Sequence, residues 1–339
     1  MKAIAHFKCL PVEHPDSLVE IEIPEPVPGP RDLLVEVKAV SVNPVDTKVR
    51  QGYVPHADES QPRILGWDAA GVVRSVGPEV TLFKPGDKIW YAGSLVRPGS
   101  NSELQLVDER IAGCMPQSLQ FAQAAALPLT SLTAWELLFD RLGVARDTTD
   151  RGETLLIIGA AGGVGSILTQ LARQFTGLTI IGTASRPETQ SWVTELGAHH
   201  VIDHSKPLSE ELRRIGIPEV SHVASLTQTD RHYEQIIESL KPQGRLGLID
   251  DPATLDAVPL KRKSLSLHWE LMYTRSLYGT EDMQEQHNIL NEVARQIDAS
   301  VLRTTVGEHY GRISADNLRR AHALLESGKS KGKIVLEGF

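Results

Sequence analysis

The sequence predicts an α/β protein of two domains, with a doubly wound parallel sheet inserted into a β-rich domain, and three observations carry that expectation. The 339-residue length is about twice that of one common domain. From Met1 to about Pro116 the apolar runs VEIEI, LLVEVKAVSV, GVVRSVG and KIWYAG are short and β-branched, and turn formers such as PEPVPGPRD and KPGD separate them. From about Leu119 to Pro259 the strands TLLIIGA, LTIIGTA, HHVID, SHVASL and RLGLID alternate with helical stretches such as PETQSWVTELG and YEQIIESLKPQG. That alternation is the pattern of a parallel sheet with helices on both faces. Beyond Pro259 the texture mixes again, through SLSLHWELMY, the helix candidate TEDMQEQHNILNEVARQI, the strand candidate LRTTVGEHY, the helix candidate SADNLRRAHALLESG and the final strand KGKIVLE. The expected division is residues 1–127, then 128–261 for the inserted sheet, then 262–339 returning to the first domain.

Composition narrows the function. A hydrophobic fraction of 41% and a charged fraction of 23% are those of an ordinary globular protein. The net charge of −8 argues against a nucleic-acid partner, and the densest basic run is only Lys261, Arg262 and Lys263. Cys9 and Cys114 are the only thiols, which fits a reducing compartment rather than a disulfide framework. The N-terminal MKAIAHFK has no long apolar region, and no apolar run approaches the length of a membrane span. A cytoplasmic protein with no membrane partner is expected.

Between the strand TLLII and the helix SILTQLARQF lies GAAGGVG, residues Gly159 to Gly165. Ala160, Gly162 and Gly165 occupy the positions of a G-x-G-x-x-G fingerprint with alanine first. Small residues there, Gly163 included, let the backbone come within hydrogen-bonding distance of a pyrophosphate. The amides around Val164, at the helix N-terminus, then favour its charge. A tight turn for helix-on-sheet packing is the alternative use of such a stretch; the run of strand and helix alternations that follows it favours a dinucleotide.

The end of the next strand bears on which dinucleotide. An NAD site places an acidic residue about 20 residues past the fingerprint. Here GTASRPET offers Ala184, Ser185 and Arg186. A hydroxyl and a guanidinium suit a 2′-phosphate, so NADPH is the expected cofactor. A cap on the helix before Pro187 is the alternative use of Ser185, and Glu188, inside the helix start, is a conceivable ribose ligand.

Taken together, the β-rich first domain, GAAGGVG, ASR and the closing GKIVLE resemble the medium-chain dehydrogenase/reductase superfamily over essentially the whole chain. SVNPVDTKVRQG, GWDAAGVVRSVGPEV and ALPLTSLTAWELL resemble its quinone oxidoreductase, zeta-crystallin-like branch, while ASRPETQSWVTELGAHHVIDH and SLHWELMYTRS are similar to the subgroup labelled zinc-type alcohol dehydrogenase-like. The resemblance implies a Rossmann domain inserted in a GroES-like catalytic domain, a substrate cleft between the two, and a homodimer formed by edge-to-edge pairing of Rossmann sheets.

The zinc in that label is at odds with the residues. Where zinc-dependent relatives carry their catalytic ligands, this chain has Asn43, Trp67 and roughly Leu129, and YAGSLVRPGSNSEL lacks the four cysteines of a structural site. A substitute set of Asp46, His56 and Asp68 is more simply read as polar surface or hydrogen-bonding groups, so no metal is expected. Without a Lewis acid, a quinone or an α,β-unsaturated carbonyl is the better hydride acceptor, because its own conjugation spreads the incoming charge. An atypical zinc alcohol dehydrogenase and a protein that binds NADPH without turnover are the alternatives.

The resemblance also implies roles for residues. Asn43 would border the nicotinamide and either donate to the acceptor oxygen or bond turn backbone, Asp46 would orient its neighbours, and Thr133 would approach the nicotinamide or cap its helix. His204 replaces a tyrosine of the adenosine pocket. Ile249 and Asp250 would present strand-end backbone to the cofactor. Tyr53, Trp67, Trp269, Met272 and Tyr273 are candidates for an aromatic-rich wall against a flat acceptor, or for core packing. Lys331 and Lys333 lie on the return strand, beside the cofactor or as exposed charge.

Overall fold

A computed structural model describes residues 1–53 and 58–339; His56 lies outside the described residues. The chain divides into two compact units, one of Met1–Leu132 with Tyr273–Phe339, the other of Thr133–Met272. Both boundaries fall later than the sequence suggests.

Sixteen strands are described. In chain order they are β1 (Lys2–His6), β2 (Val19–Glu22), β3 (Asp32–Val42), β4 (Arg63–Ile64), β5 (Ala69–Val76), β6 (Lys88–Tyr91), β7 (Leu104–Asp108) and β8 (Ala112–Cys114) in the first unit. The second unit holds β9 (Thr154–Ile158), β10 (Thr179–Thr183), β11 (His200–Ile202), β12 (Val220–Ser225), β13 (Leu240–Leu248) and β14 (Ser266–Trp269). The chain then returns to the first unit with β15 (Val306–His309) and β16 (Lys333–Glu337).

The first unit carries a three-stranded sheet, β2-β1-β4, and a seven-stranded sheet ordered β15-β16-β3-β5-β6-β8 with β7 also on β3. β3 stops at Val42 because Pro44 has no N–H to continue the ladder and its fixed φ suits the first position of the helix Pro44–Arg50. β16 runs antiparallel to β3 with Ile334 opposite Val42. That register brings Lys333 to the end of β3, beside Asn43.

The second unit is one parallel sheet in the order β11-β10-β9-β12-β13-β14. TLLII reads as a continuous apolar run because four of its five residues, Leu155 to Ile158, are buried, with helices to cover both faces. The strand order reverses between β9 and β12, and the carboxyl ends of strands at such a reversal are where open α/β sheets take ligands.

Two sequence expectations need correction here. SLSLHWELMY does not return to the first domain: β14 pairs in parallel with β13, Leu246 opposite Leu267, and completes the Rossmann-type sheet. The helical reading of YEQIIESLKPQG runs too far. The helix is Thr229–Ser239, and Leu240 already pairs with Val220, with a register shift before His222 that absorbs KPQG into a strand. Among the described residues no helix is long and apolar enough to cross a membrane.

Candidate functional site

The turn after β9 is built by three small residues with three different duties. Gly159 has φ 83°, and a Cβ there would stand 3.0 Å from the Thr227 methyl group, so glycine is required by conformation and space. At Gly165 a Cβ would fall 2.4 Å from the Gly159 carbonyl oxygen and 2.5 Å from the Ala160 Cα, so glycine lets the helix close on the turn. Gly162 is different. Its backbone is extended (φ −74°, ψ −179°), and a Cβ would meet only the Gly159 oxygen, at 3.4 Å. The fold itself does not demand glycine at 162, so that face of the turn is free for another group to approach.

What would approach is set by the helix Gly163–Phe175. The Gly162 N–H donates to Gly159 O (3.1 Å), the Ser166 N–H donates to Gly162 O (2.9 Å), and no side chain caps the helix. The amides of Gly163, Val164 and Gly165 therefore precede the first turn's hydrogen bonds at the positive end of a 13-residue helix. Those donors, beside an open face at Gly162, fit a pyrophosphate. Thr183 ties the turn to β10 by accepting the Gly159 N–H at 3.1 Å.

The edge beyond β10 is equally well held. Ala184 N–H donates to Ile202 O (2.9 Å), Gln190 Nε2 donates to Ala184 O (3.2 Å), and Thr189 Oγ1 donates to Arg186 O (2.8 Å). Ser185 is exposed and is not the helix cap the sequence offers: Arg186 is the N-cap of the helix Pro187–Glu195, without a side-chain cap bond. The Arg186 Nε lies 3.1 Å from the Glu188 carboxylate, and both side chains are accessible.

His204, following β11, is half-buried, its Nδ1 is enclosed without a hydrogen-bond partner, and its ring meets that of His232 edge-on at 6.4 Å. Burial pushes the pKa of both imidazoles down, which favours their neutral forms. Ile249 N–H donates to Ser225 O (3.3 Å). The Asp250 carboxylate accepts from Thr229 N–H (2.8 Å) and from the Thr229 hydroxyl, capping the helix Thr229–Ser239. Thr133 is buried in the helix Pro128–Trp135.

The first unit holds a second polar centre, wholly buried. The Lys333 ammonium donates to Val42 O (2.9 Å), to Asn43 Oδ1 and to Asp68 Oδ2 (3.1 Å), which uses all three of its hydrogens. Asn43 Nδ2 donates to Asp68 Oδ2 (3.0 Å), and Asp68 Oδ1 accepts the Leu129 N–H (2.9 Å). Asp46 Oδ2 accepts the Asn43 N–H (2.7 Å), fixing the start of the helix Pro44–Arg50. This arrangement gives the Asn43 amide to the interior network, so of its two sequence-derived roles the structural one is filled. Lys333 is not exposed charge but 3% accessible.

Burial pushes the Asp46 carboxyl up to about 7, against the Asn43 N–H and the Lys333 charge that favour ionisation, with the Asp68 charge adding to the rise. Asp46 Oδ1 and the Tyr273 hydroxyl are enclosed without hydrogen-bond partners. Burial, with the charges of Asp46 and Asp68, holds Tyr273 well above the ordinary phenol value, so it stays protonated. A carboxyl raised from 3.8 to about 7 favours the folded state most at low pH, and that contribution is lost as pH rises through about 7. Asp46→Asn, neutral throughout, is expected to gain in melting temperature relative to the parent as pH rises from about 4 to about 7, the difference levelling off above that. A pH-independent difference between the two proteins would show that Asp46 titrates normally.

The aromatic wall is corrected. Trp67 is 1% exposed, its indole N–H donating to Ser94 O (3.1 Å), and Tyr273 is also core. Tyr53 is 64% exposed, and Trp269, in the other unit, stands half-exposed at the end of β14. Met272 is buried.

Residues 29–130 match the alcohol dehydrogenase GroES-like domain, and residues 196–336 match the zinc-binding dehydrogenase family. A zinc-type alcohol dehydrogenase-like protein of Staphylococcus aureus strain MSSA476 is 40% identical over 340 residues, 99% of each chain. The chain belongs to the medium-chain dehydrogenase/reductase superfamily. It is an oxidoreductase of that superfamily. A Rhizobium etli CFN 42 protein named after the zinc-dependent alcohol dehydrogenases shares 54% identity and a TM-score of 0.95, covering 100% of this chain and 98% of that one. The Escherichia coli quinone oxidoreductase, in a crystal structure complexed with NADPH, shares 27% identity and a TM-score of 0.83 over 99% of this chain and 100% of that one.

The residues present in this member of the superfamily do not fit a catalytic zinc ion. The Asn43 amide and the Trp67 indole N–H are engaged in the interior, and Leu129 has no donor atom. Among the described residues no group of three or more His, Cys, Asp or Glu is placed to hold a metal. Ser94, Ser100, Asn101 and Ser102 are buried in the lobe where a structural zinc would need thiolates.

Proposed function

We propose that the protein is a reductase that prefers NADPH and delivers its hydride to a quinone or an α,β-unsaturated carbonyl without metal. The observation that carries this reading is the open face at Gly162, beside an uncapped helix N-terminus and one strand away from Arg186. NADPH, when bound, supplies the hydride. The amides of Gly163, Val164 and Gly165 hold the pyrophosphate, Arg186 and Ser185 the 2′-phosphate, His204 the adenosine, and the backbone at Ile249 and Asp250 the strand-end side of the cofactor. Thr133 would border the nicotinamide. The Asn43–Asp68–Lys333 network keeps the end of β3 and its helix rigid, with every donor of Lys333 and Asn43 satisfied. Because Asn43, Trp67 and Leu129 do not make a ligand set for a Lewis-acidic zinc ion, the reading pairs the protein with an acceptor that disperses charge through its own conjugation. NADPH oxidation against quinones, enones and simple alcohols tests the reading: turnover confined to quinones or enones supports it, and turnover confined to alcohols or absent altogether rejects it.

The protein is further proposed to be a cytoplasmic homodimer. Cys9 and Cys114 are both free and exposed, as a reducing compartment allows. β14 is the last strand of its sheet, and Trp269 and Leu271 beside it are 50% and 51% exposed. Pairing with a second copy would continue the sheet and cover both. Sedimentation should give twice the chain mass for the parent and the single mass for Trp269→Lys/Leu271→Lys. A monomeric parent would refute the dimer.

A further inference from the structure

Arg186 does not stand alone at the edge of β10. Its Nε is 3.1 Å from Glu188, one helical position past Pro187, and the two side chains are 40% and 58% accessible. The loop beneath them is fixed by bonds that involve neither side chain's charge: Ala184 N–H to Ile202 O, Gln190 Nε2 to Ala184 O, and Thr189 Oγ1 to Arg186 O. A cation and an anion are thus presented together, on a rigid edge, where the strand order of the sheet brings the adenosine end of a dinucleotide.

Resting on the dinucleotide reading above, we infer that Glu188 is a second determinant of cofactor choice, opposing Arg186, so that the protein binds both NADPH and NADH. The two groups favour different ribose chemistry. A 2′-phosphate gains a charge-assisted bond from the guanidinium but must share it with a carboxylate of the same sign as its own. A bare 2′-hydroxyl meets no repulsion and can donate to that carboxylate, the role an acidic residue takes at this place in NAD sites. Arg186 therefore raises NADPH affinity and Glu188 holds that advantage down. An acid in the first turn also suits the helix macrodipole. That role would be served without contact to Arg186 and would not distinguish one cofactor from the other.

Glu188→Gln separates the two roles by binding alone, without turnover. Dissociation constants are measured for NADPH and NADH by quenching of protein fluorescence, and for 2′,5′-ADP and 5′-AMP by calorimetry. The parent should bind both nicotinamide cofactors. Glu188→Gln should tighten NADPH and 2′,5′-ADP about fivefold and leave NADH and 5′-AMP unchanged or slightly weaker, the effect shrinking as salt is raised. An unchanged ratio of NADPH to NADH affinity would overturn the inference, as would an equal loss of both, which marks a helix-start role. Parent protein that binds neither cofactor would overturn the dinucleotide reading itself. A parent that binds NADPH, with an unchanged ratio in the variant, would overturn only the assignment of Glu188.

Discussion

Gly162→Val is expected to fold and to bind neither NADPH nor NADH at concentrations that saturate the parent, a loss of about a hundredfold or more in affinity. The backbone at 162 is extended and negative in φ, so a β-branched residue is tolerated there. Its Cβ would meet only the Gly159 oxygen at 3.4 Å. The added methyl groups would instead occupy the face proposed for the pyrophosphate and hold it away from the amides of Gly163, Val164 and Gly165. Gly165→Val makes a useful contrast, since a Cβ 2.4 Å from the Gly159 oxygen should damage the fold itself. Cofactor titration with circular dichroism reads both effects. Normal NADPH affinity in folded Gly162→Val would mean that the turn serves packing alone.

Arg186→Ala is expected to weaken NADPH about ten- to a hundredfold while NADH changes little, because a hydrogen bond to a charged group is worth about 1.5 to 3 kcal/mol. Ser185, exposed and neutral, should contribute about fivefold at most. The sign of the difference between the two cofactors decides the matter. Equal loss of both would mean that Arg186 holds the loop, although Gln190 and Thr189 already do so without its side chain.

Much of this was legible in the sequence for physical reasons. Strands buried on both faces read as continuous apolar runs, and β9 and β10 lie where such runs predict them. The three small residues of the turn are spaced by the geometry of a strand-to-helix corner, though the sequence could not show that Gly162, unlike Gly159 and Gly165, is unnecessary to the fold. β14 is hard to read because an edge strand is half exposed and its pattern breaks with Trp269 and Leu271. The Lys333 network is hidden for another reason. Its members, at 43, 68 and 333, meet through the registers of β16 and β5 on β3, long-range pairings that local pattern does not encode. Trp67 and Tyr273 mislead because a buried aromatic and a pocket aromatic have the same sequence signature. Glu188 is visible as an acid in a helix start, but its contact with Arg186 needs coordinates.

The central claim is hydride transfer to a conjugated acceptor without metal. The most direct measurement is NADPH oxidation with a quinone and an enone, on protein stripped by a strong chelator and verified metal-free by elemental analysis. Undiminished turnover that added zinc does not raise is the expected result. Activity lost on stripping and restored by stoichiometric zinc would contradict the account.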